Sequence, residues 1–586
     1  SVRIDARRAA ELRQLIDPAD VLAGEHGVLL ATAYPAWTSW IRRDRAGLSA
    51  LVREGLRAPR DAATLRRLLG EELSIAPSIE AGLRRFAQRE RARVALRELL
   101  PRRLGGADVD VTARELSLLA DITVHAATEH AVAKTTERFG SPRRPDGRPS
   151  RMVVLGMGKL GGLELNVGSD VDLIYLYDTD DAEFEGGEGA ATAAEFYQRV
   201  CKRLTALLED VTDDGFVWRV DLRLRPEGGA GPIAISVAAA ERCYEAFGRL
   251  WERAALLRAR PIAGDLELGA AFLQALGPFV WRRRIDPMIA REMVSLVQRS
   301  RIELSPDPDR DLKLGPGGIR EAEFFVQTLQ LVWGGREPAL RAARTADALN
   351  RLEAHGYCTD REAREVAQAY LAQRRAEHAI QHASGIQTHS LPQGKDLQRI
   401  ARALGYASEQ RLIEDLARHR RRTHAHFLAL LPEDAGQETP HLALLAALEA
   451  GNEEAVHAAL AARFADEELA YDAGELAAFT AHVVGLASHP DAPLGVRARE
   501  RFPGLAEMLL DAMFASADPL QAAKNLRFFF ARVRQPAVYV RLAFADAAAL
   551  RRLVSALGAS AFVGNALCNH PELEDLSEQV QVIEQH

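Results

Sequence analysis

The sequence predicts a mainly α-helical protein with one small α+β region inserted between helical stretches. Ala, Leu, Arg and Glu dominate, β-branched runs are few, and Phe, Trp and Tyr together make up only 6% of residues. That mixture favours helices. Strand-like runs gather between about residues 150 and 236, while apolar spacing of helical period fills most of the remainder. At 586 residues the chain exceeds what one hydrophobic core organises, so roughly two to four domains are expected.

Residues 1–140 read as an N-terminal helical region. Thr112 and Glu115 have capping-box spacing ahead of Leu116, Leu119 and Thr123. Helical periodicity stops near Gly140, and SPRRPDGRPS (141–150) reads as a loop or linker. It opens a candidate catalytic domain, 141–265. There Met152 to Leu155 is a short apolar run bounded by glycines, a buried strand. Val171 to Tyr177 (VDLIYLY) is a second strand, followed by an acidic, Gly-rich loop, TDDAEFEGGEGA. Phe196, Val200, Leu204 and Leu207 mark a helix. FVWRVDLRLRP then alternates, with Phe216, Trp218, Val220, Leu222 and Leu224 on one side. Val217, Arg219, Asp221, Arg223 and Arg225 take the other. This predicts a half-buried strand with a polar face.

Helices return from about residue 236. A second helical domain, 266–432, contains a helix lined by Ile289, Met293 and Leu296, a break at SPDPDRD (305–311), and a helix from Ile319 to Trp333. The linker PEDAGQETP (432–440) leads into an Ala- and Leu-rich helical region, 433–586. A weak repeat relates residues 34–51 to 560–576: Trp37, Leu48 and Leu51 align with Phe562, Leu573 and Leu576 at one offset. If it reflects a true repeat, a second unit begins where this sequence stops.

Composition excludes several classes. No apolar stretch reaches the roughly 20 residues that span a bilayer, and SVRIDARRAAELRQLI has no signal-peptide core. Ser1 at the start reads as a processed or truncated end. Cys201, Cys243, Cys358 and Cys568 lie far apart, without metal or disulfide spacing, so a reducing, cytoplasmic location is expected. Net charge is −7 and Arg is interspersed with Asp and Glu. No basic stripe for nucleic acid stands out.

The chemistry centres on Gly168-Ser169-Asp170-Val171-Asp172 and on Asp221. Asp170 and Asp172 are two residues apart at a strand start, so both carboxylates face one side. Such a pair can hold Mg²⁺, a hard cation that prefers oxygen ligands and phosphate partners. Asp221 on a neighbouring strand would complete a site for two metals acting on an in-line displacement at phosphorus. Gly168 and Ser169 would let backbone and hydroxyl approach phosphate oxygens. Together these features resemble a nucleotidyltransferase site of the DNA-polymerase-β type. GMGKLGG (156–162) fits neither a dinucleotide-binding nor a Walker A loop, because its glycine spacing and Lys159 are misplaced for both. Lys159 remains a candidate phosphate contact.

GMGKLGGLELNVGSDVDLIYLYD, VDLRLRPEGGAGPIAIS, GRLWERAALLRARPIAG, KLGPGGIREAEFFVQTLQL and AEHAIQHASGIQTHSLP occur in this order between about residues 150 and 395. The series resembles the bacterial glutamine synthetase adenylyltransferase family, whose members carry two nucleotidyltransferase domains. The resemblance implies that one domain removes AMP from a tyrosine of glutamine synthetase by phosphorolysis, releasing ADP, while the other attaches AMP from ATP. Only one G-S-D-x-D is present, and GRLWERAA and GGIREAEF resemble the N-terminal, removing type. The resemblance implies Asp170, Asp172 and Asp221 as metal ligands, Mg²⁺ as cofactor, and adenylylated glutamine synthetase, phosphate, ADP and a PII signalling protein as partners. Leu250 and Ala322 depart from the family pattern without touching the carboxylates. Adenylylation from ATP and a regulatory PII-binding module are the alternatives, with nucleic-acid nucleotidyl transfer last.

Other polar residues admit two roles each. Arg223 and Arg225 share the face of Asp221 and suit either phosphate binding or surface charge pairing. Arg320, Glu323, Gln327 and Gln330 form a polar stripe, expected on a solvent face unless it lines a cleft. His378 and His382 are four apart, a spacing that can chelate zinc. No third ligand lies nearby in sequence, so helix packing or hydrogen bonding is expected.

Overall fold

The computed structural model describes residues 21–569, apart from 58, 189–191, 285, 287, 432–440, 467–470, 503, 533–539 and 541–546. The expected linker 432–440 therefore lies outside the described residues, as do Leu573 and Leu576 of the weak repeat. The chain divides into two compact units. One comprises residues 1–348 and 367–431, the other 349–366 and 432–586.

Helices dominate the first unit. Two long ones, α1 (Ile79–Leu99) and α2 (Val109–Phe139), pack on each other, and α2 packs on α3 (Ala193–Glu209). The N-cap of α2 is Asp108, one turn before the expected capping box. Thr112 and Glu115 lie inside the helix, and Glu115 faces Arg93 and Arg97 of α1. A tertiary ion-pair cluster has claimed the residues that local spacing assigned to a cap. The helix ends at Gly140, whose φ of 85° terminates it without the strain a side chain would bring.

A five-stranded sheet lies among these helices, in the order β5 (Val220–Asp221), β3 (Val171–Tyr177), β2 (Met152–Gly156), β7 (Arg260–Gly264). β6 (Ala234–Ser236) continues alongside β3. The two expected central strands, β2 and β3, pair antiparallel with Met152 opposite Tyr177. Both faces of this pair are covered, which is why their sequences read as unbroken apolar runs. Val154, Leu173 and Tyr175 join one core with α1, α2 and α3; Val153, Leu155, Ile174 and Leu176 join another on the opposite face.

Four expectations are corrected. The stretch 141–150 is not all loop, since β1 (Ser141–Arg143) pairs antiparallel with β4 (Glu183–Glu185), itself inside the expected acidic loop. The alternating FVWRVDLRLRP forms a strand only at Val220–Asp221. Val217 and Trp218 are both buried, both donate to the Leu208 carbonyl, and the Trp218 indole donates to Thr123 at 2.9 Å. Beyond Asp221 the Arg223 amide bonds the Asp221 carboxylate at 2.8 Å, a turn that ends the strand. Helices do not resume without interruption after residue 236, because β7 extends the sheet. Finally, Glu323, Gln327 and Gln330 on α4 (Ile319–Trp333) are buried rather than solvent-facing. Gln330 donates to the carbonyls of Leu340 and Ala342, and Glu323 pairs with Arg258 at 3.3 Å.

The second unit is helical throughout its described residues. Its core includes Phe464, Phe479 and Phe514, mutually in contact with ring centroids 4.9–5.7 Å apart. Residues 349–366 belong to it through bonds such as Arg552 to the His355 carbonyl at 2.8 Å and the Arg361 amide to the Ala515 carbonyl.

Candidate functional site

The site is built where β3 begins. β2 leads into a tight turn and the short helix Gly158–Gly161, and the chain then returns through residues 162–170 into β3. Gly158 has φ of +53°, and a Cβ there would stand 2.6 Å from Asp172 Oδ2. A Cβ on Gly161 would stand 1.9 Å from the Arg258 carbonyl oxygen. These glycines let the turn press against the strand that carries the carboxylates.

The return segment is pinned at several points. The Leu165 amide donates to Ser117 on α2 at 3.1 Å. Asn166 Oδ1 lies 2.8 Å from His378 Nε2, and the Gly168 amide donates to Gln381 Oε1 at 3.2 Å. His378 and Gln381 belong to α5 (Asp360–Ser384), so this helix buttresses the whole G-S-D-x-D approach. Arg258 closes the other side with ion pairs to Glu164 at 3.2 Å and Glu323.

Asp172 stands beside Asp221 in the parallel β3–β5 register. Asp170 immediately precedes β3, and Asp170 and Asp221 both line a cleft of about 550 Å³ together with Arg219, Arg223 and Arg225. Burial, then the charges of Asp221 and Asp170, push the Asp172 carboxyl up to about 6, against the opposing pull of Lys313 and Arg320. Burial also raises Asp221, but hydrogen bonds from the Arg223 side chain and backbone more than offset it, leaving this carboxyl below its ordinary value. Mutually repelling carboxylates offering only hard oxygen donors fit a divalent cation, which would relieve the charge that holds Asp172 up.

The arginines divide by partner. Arg219 donates to Asp170 Oδ1 at 2.7 Å and also to the Gly168 carbonyl, clamping the loop onto β5. Arg223 pairs with Asp221, and its side chain is 83% exposed. Arg225 donates to the carbonyls of Leu222, Gly229, Gly231 and Pro232 and thereby shapes the loop after β5. Ser169 is buried, with its amide on the Asn166 carbonyl. Lys159 faces α5, where its ammonium pairs with Glu377 at 3.0 Å, and burial brings it down to about 8 despite that partner. Asp170, Asp221, Arg219, Arg223 and Arg225 thus line one cleft with Asp172 paired beside Asp221, whereas Lys159 and the Gly168 amide already have partners on α5.

Sequence reasoning passed over Arg219 and Lys313. The first had a usable signal: it lies two residues before Asp221 on the same face of the alternating run. Lys313, whose charge acts on Asp172, lies 141 positions beyond that aspartate, and its place at the head of the block KLGPGGIREAEFFVQTLQL was the available signal. Burial, then the Arg320 charge, lowers its own pKa.

The family described as glutamate-ammonia ligase adenylyltransferase matches residues 31–275, and that described as GlnD PII-uridylyltransferase matches residues 289–431. A relative from Thioalkalivibrio sulfidiphilus, named bifunctional glutamine synthetase adenylyltransferase/adenylyl-removing enzyme, is 36% identical over 84% of this chain and 51% of its own length. Proteins of the same name from Stenotrophomonas maltophilia and Pseudomonas aeruginosa are 39% and 35% identical. They cover 86% and 91% of this chain, and 53% and 55% of their own lengths. The chain thus spans about half the length of the curated relatives it matches. With two adjoining family matches and relatives of one name aligned across most of its residues, the chain belongs to the bifunctional glutamine synthetase adenylyltransferase family.

Proposed function

We propose that this chain removes AMP from an adenylylated tyrosine of glutamine synthetase by phosphorolysis, yielding ADP and the free tyrosine. The observation that carries the reading is the meeting of Asp170, Asp172 and Asp221 across the β3–β5 register, beside a cleft edged by Arg219 and Arg223. Resemblance of GRLWERAA and GGIREAEF to the removing type supports the direction.

Asp170, Asp172 and Asp221 are the residues that would hold Mg²⁺, which supplies charge neutralisation at phosphate oxygens when bound. An oxygen of hydrogen phosphate attacks the AMP phosphorus, the new P–O–P bond forms, and the bond to the tyrosyl oxygen breaks as that oxygen takes up the proton the phosphate carried. Phosphate is already largely anionic near neutral pH, so the chain's task is placement and charge compensation rather than strong base catalysis. Arg223 is exposed and sits at the cleft, so it can exchange Asp221 for a phosphate oxygen. Arg219 holds Asp170 and the Gly168 carbonyl in place. The pinned loop and α5 keep the carboxylates fixed while substrate enters.

The test uses adenylylated glutamine synthetase with Mg²⁺ and phosphate, comparing the native chain with an Asp170→Asn, Asp172→Asn double variant. ADP release by the native chain alone is expected. Incorporation of AMP from ATP into unmodified synthetase, without ADP release from the adenylylated form, would reverse the assigned direction.

A further inference from the structure

The structure gathers a second set of ligand-type side chains away from the carboxylate cleft. Glu98 near the end of α1 meets His378 and His382 of α5, with one donor atom from each lying within 4.8 Å of the others. His378 Nδ1 is 2.9 Å from Glu98 Oε1, and His382 Nε2 is 3.6 Å from Glu98 Oε2. His382 is 1% exposed, yet among the described residues neither of its ring nitrogens has a hydrogen-bond partner. Tyr34 stacks on this ring at 5.0 Å and Trp37 lies at 6.2 Å, fixing its plane. A buried imidazole left with two unsatisfied nitrogens is costly unless something else occupies the space between it and its neighbours.

We propose that Glu98, His378 and His382 form a binding site for a divalent transition-metal ion of the zinc type, with water completing the coordination. Two imidazoles and one carboxylate are a recurrent zinc set, and histidines four apart on a helix present their rings on one face. Ligand bonds of about 2.1 Å in a tetrahedron place donors about 3.4 Å apart; one Glu98 oxygen lies 2.9 Å from His378 Nδ1, the other 3.6 Å from His382 Nε2, and one donor from each of the three residues falls within 4.8 Å of the others. The outer contacts agree as well. With Nδ1 toward the metal, His378 is left to donate Nε2–H to Asn166 Oδ1, the support that fixes a ligating histidine. Thr112 donates to Glu98 Oε1 at 2.5 Å and orients the carboxylate. The nitrogen-bearing set differs in ligand preference from the all-oxygen cleft.

Its place in the fold gives the ion a role. His378 holds Asn166, and Gln381, one residue before His382, accepts the Gly168 amide. An ion bridging α1 and α5 would therefore brace the segment that leads into Asp170 and Asp172.

The experiment takes the full chain, stripped of metal and then titrated with Zn²⁺ against a chromophoric chelator in excess Mg²⁺. One tightly bound zinc per chain is expected, weakened at least 100-fold in Glu98→Gln and in His382→Gln. The Asp170→Asn, Asp172→Asn variant should bind zinc as the native chain does. Co²⁺ in the native chain should give the intense visible bands of a four-coordinate nitrogen–oxygen site. His382→Cys should keep tight Co²⁺ binding and add a thiolate charge-transfer band, a readout independent of whether the glutamine variant folds. Equal zinc affinity in native and His382→Gln chains would overturn the proposal, as would loss of zinc in the Asp170/Asp172 variant alone, or a native chain that leaves all zinc with the chelator.

Discussion

Asp172, paired beside Asp221, is held above the ordinary carboxylate range by burial and by that neighbour, and its state can be read from outside by pH. Its folded pKa of about 6 lies above the ordinary carboxylate value. Its contribution to stability is therefore fully present below the unfolded pKa near 4 and is lost as pH rises through about 6. In chelator at pH 8, Asp172→Asn should stabilise the chain by on the order of 1–3 kcal/mol. The gain should vanish by pH 4. Denaturation midpoints at both pH values check this, and a variant less stable at pH 8 contradicts it. Arg219 acts on the same site through position. Arg219→Ala removes the partner of Asp170 and of the Gly168 carbonyl. It should lower ADP release by about 10²-fold, in line with the cost of misplacing a reacting group, while leaving thermal stability nearly unchanged because its ion pair is partly exposed.

At the scale of elements, the sheet's approach turns are held by close packing that leaves no room for added atoms. Gly161→Ala would drive a methyl into the Arg258 carbonyl at 1.9 Å. The methyl would also stand 2.5 Å from the Gly156 carbonyl oxygen; both carbonyls are main chain, so relief requires moving the turn away from the strand. A loss of about 3 kcal/mol or more is expected, measured by denaturant melts; a change below 1 kcal/mol would contradict the packing. Helix α5 supports the turn from the far side through buried charges. Glu377 accepts from Lys159, Arg374 and His389 within 3.0 Å each. Lys159→Met would leave that carboxylate with one cation fewer in a buried setting, and about 2–4 kcal/mol should be lost. If Lys159 instead serves only substrate, the melt will be unchanged and activity alone will fall.

At the scale of the molecule, the two units possess separate hydrophobic cores, with Phe464, Phe479 and Phe514 in one and the sheet in the other. Calorimetry should resolve two unfolding transitions, and Mg²⁺ with ADP should raise only the one belonging to residues 1–348 and 367–431. A single transition shifted as a whole would show that the units unfold cooperatively.

The sequence by itself determined what depends on neighbours along the chain. The apolar runs of β2 and β3, the helix at Phe196–Leu207, the stop at Gly140 and the helix from Ile319 to Trp333 each follow from period or punctuation. G-S-D-x-D placed two carboxylates because a strand's alternation is fixed by covalent geometry. What depended on distant partners was not legible. The capping box at Thr112 yielded to ion pairs with α1, and the long polar strand shrank to two residues once Trp218 found Thr123, 95 positions away. On α4, buried Glu323 pairs with Arg258 and buried Gln330 donates to carbonyls in the following segment, so their polarity did not signal solvent. Glu98 and His378 are 280 residues apart, and no spacing rule links them. Only the packing of α1 against α5 makes them neighbours, because long-range contacts are set by which faces must be buried together, a property of the whole core rather than of any local run.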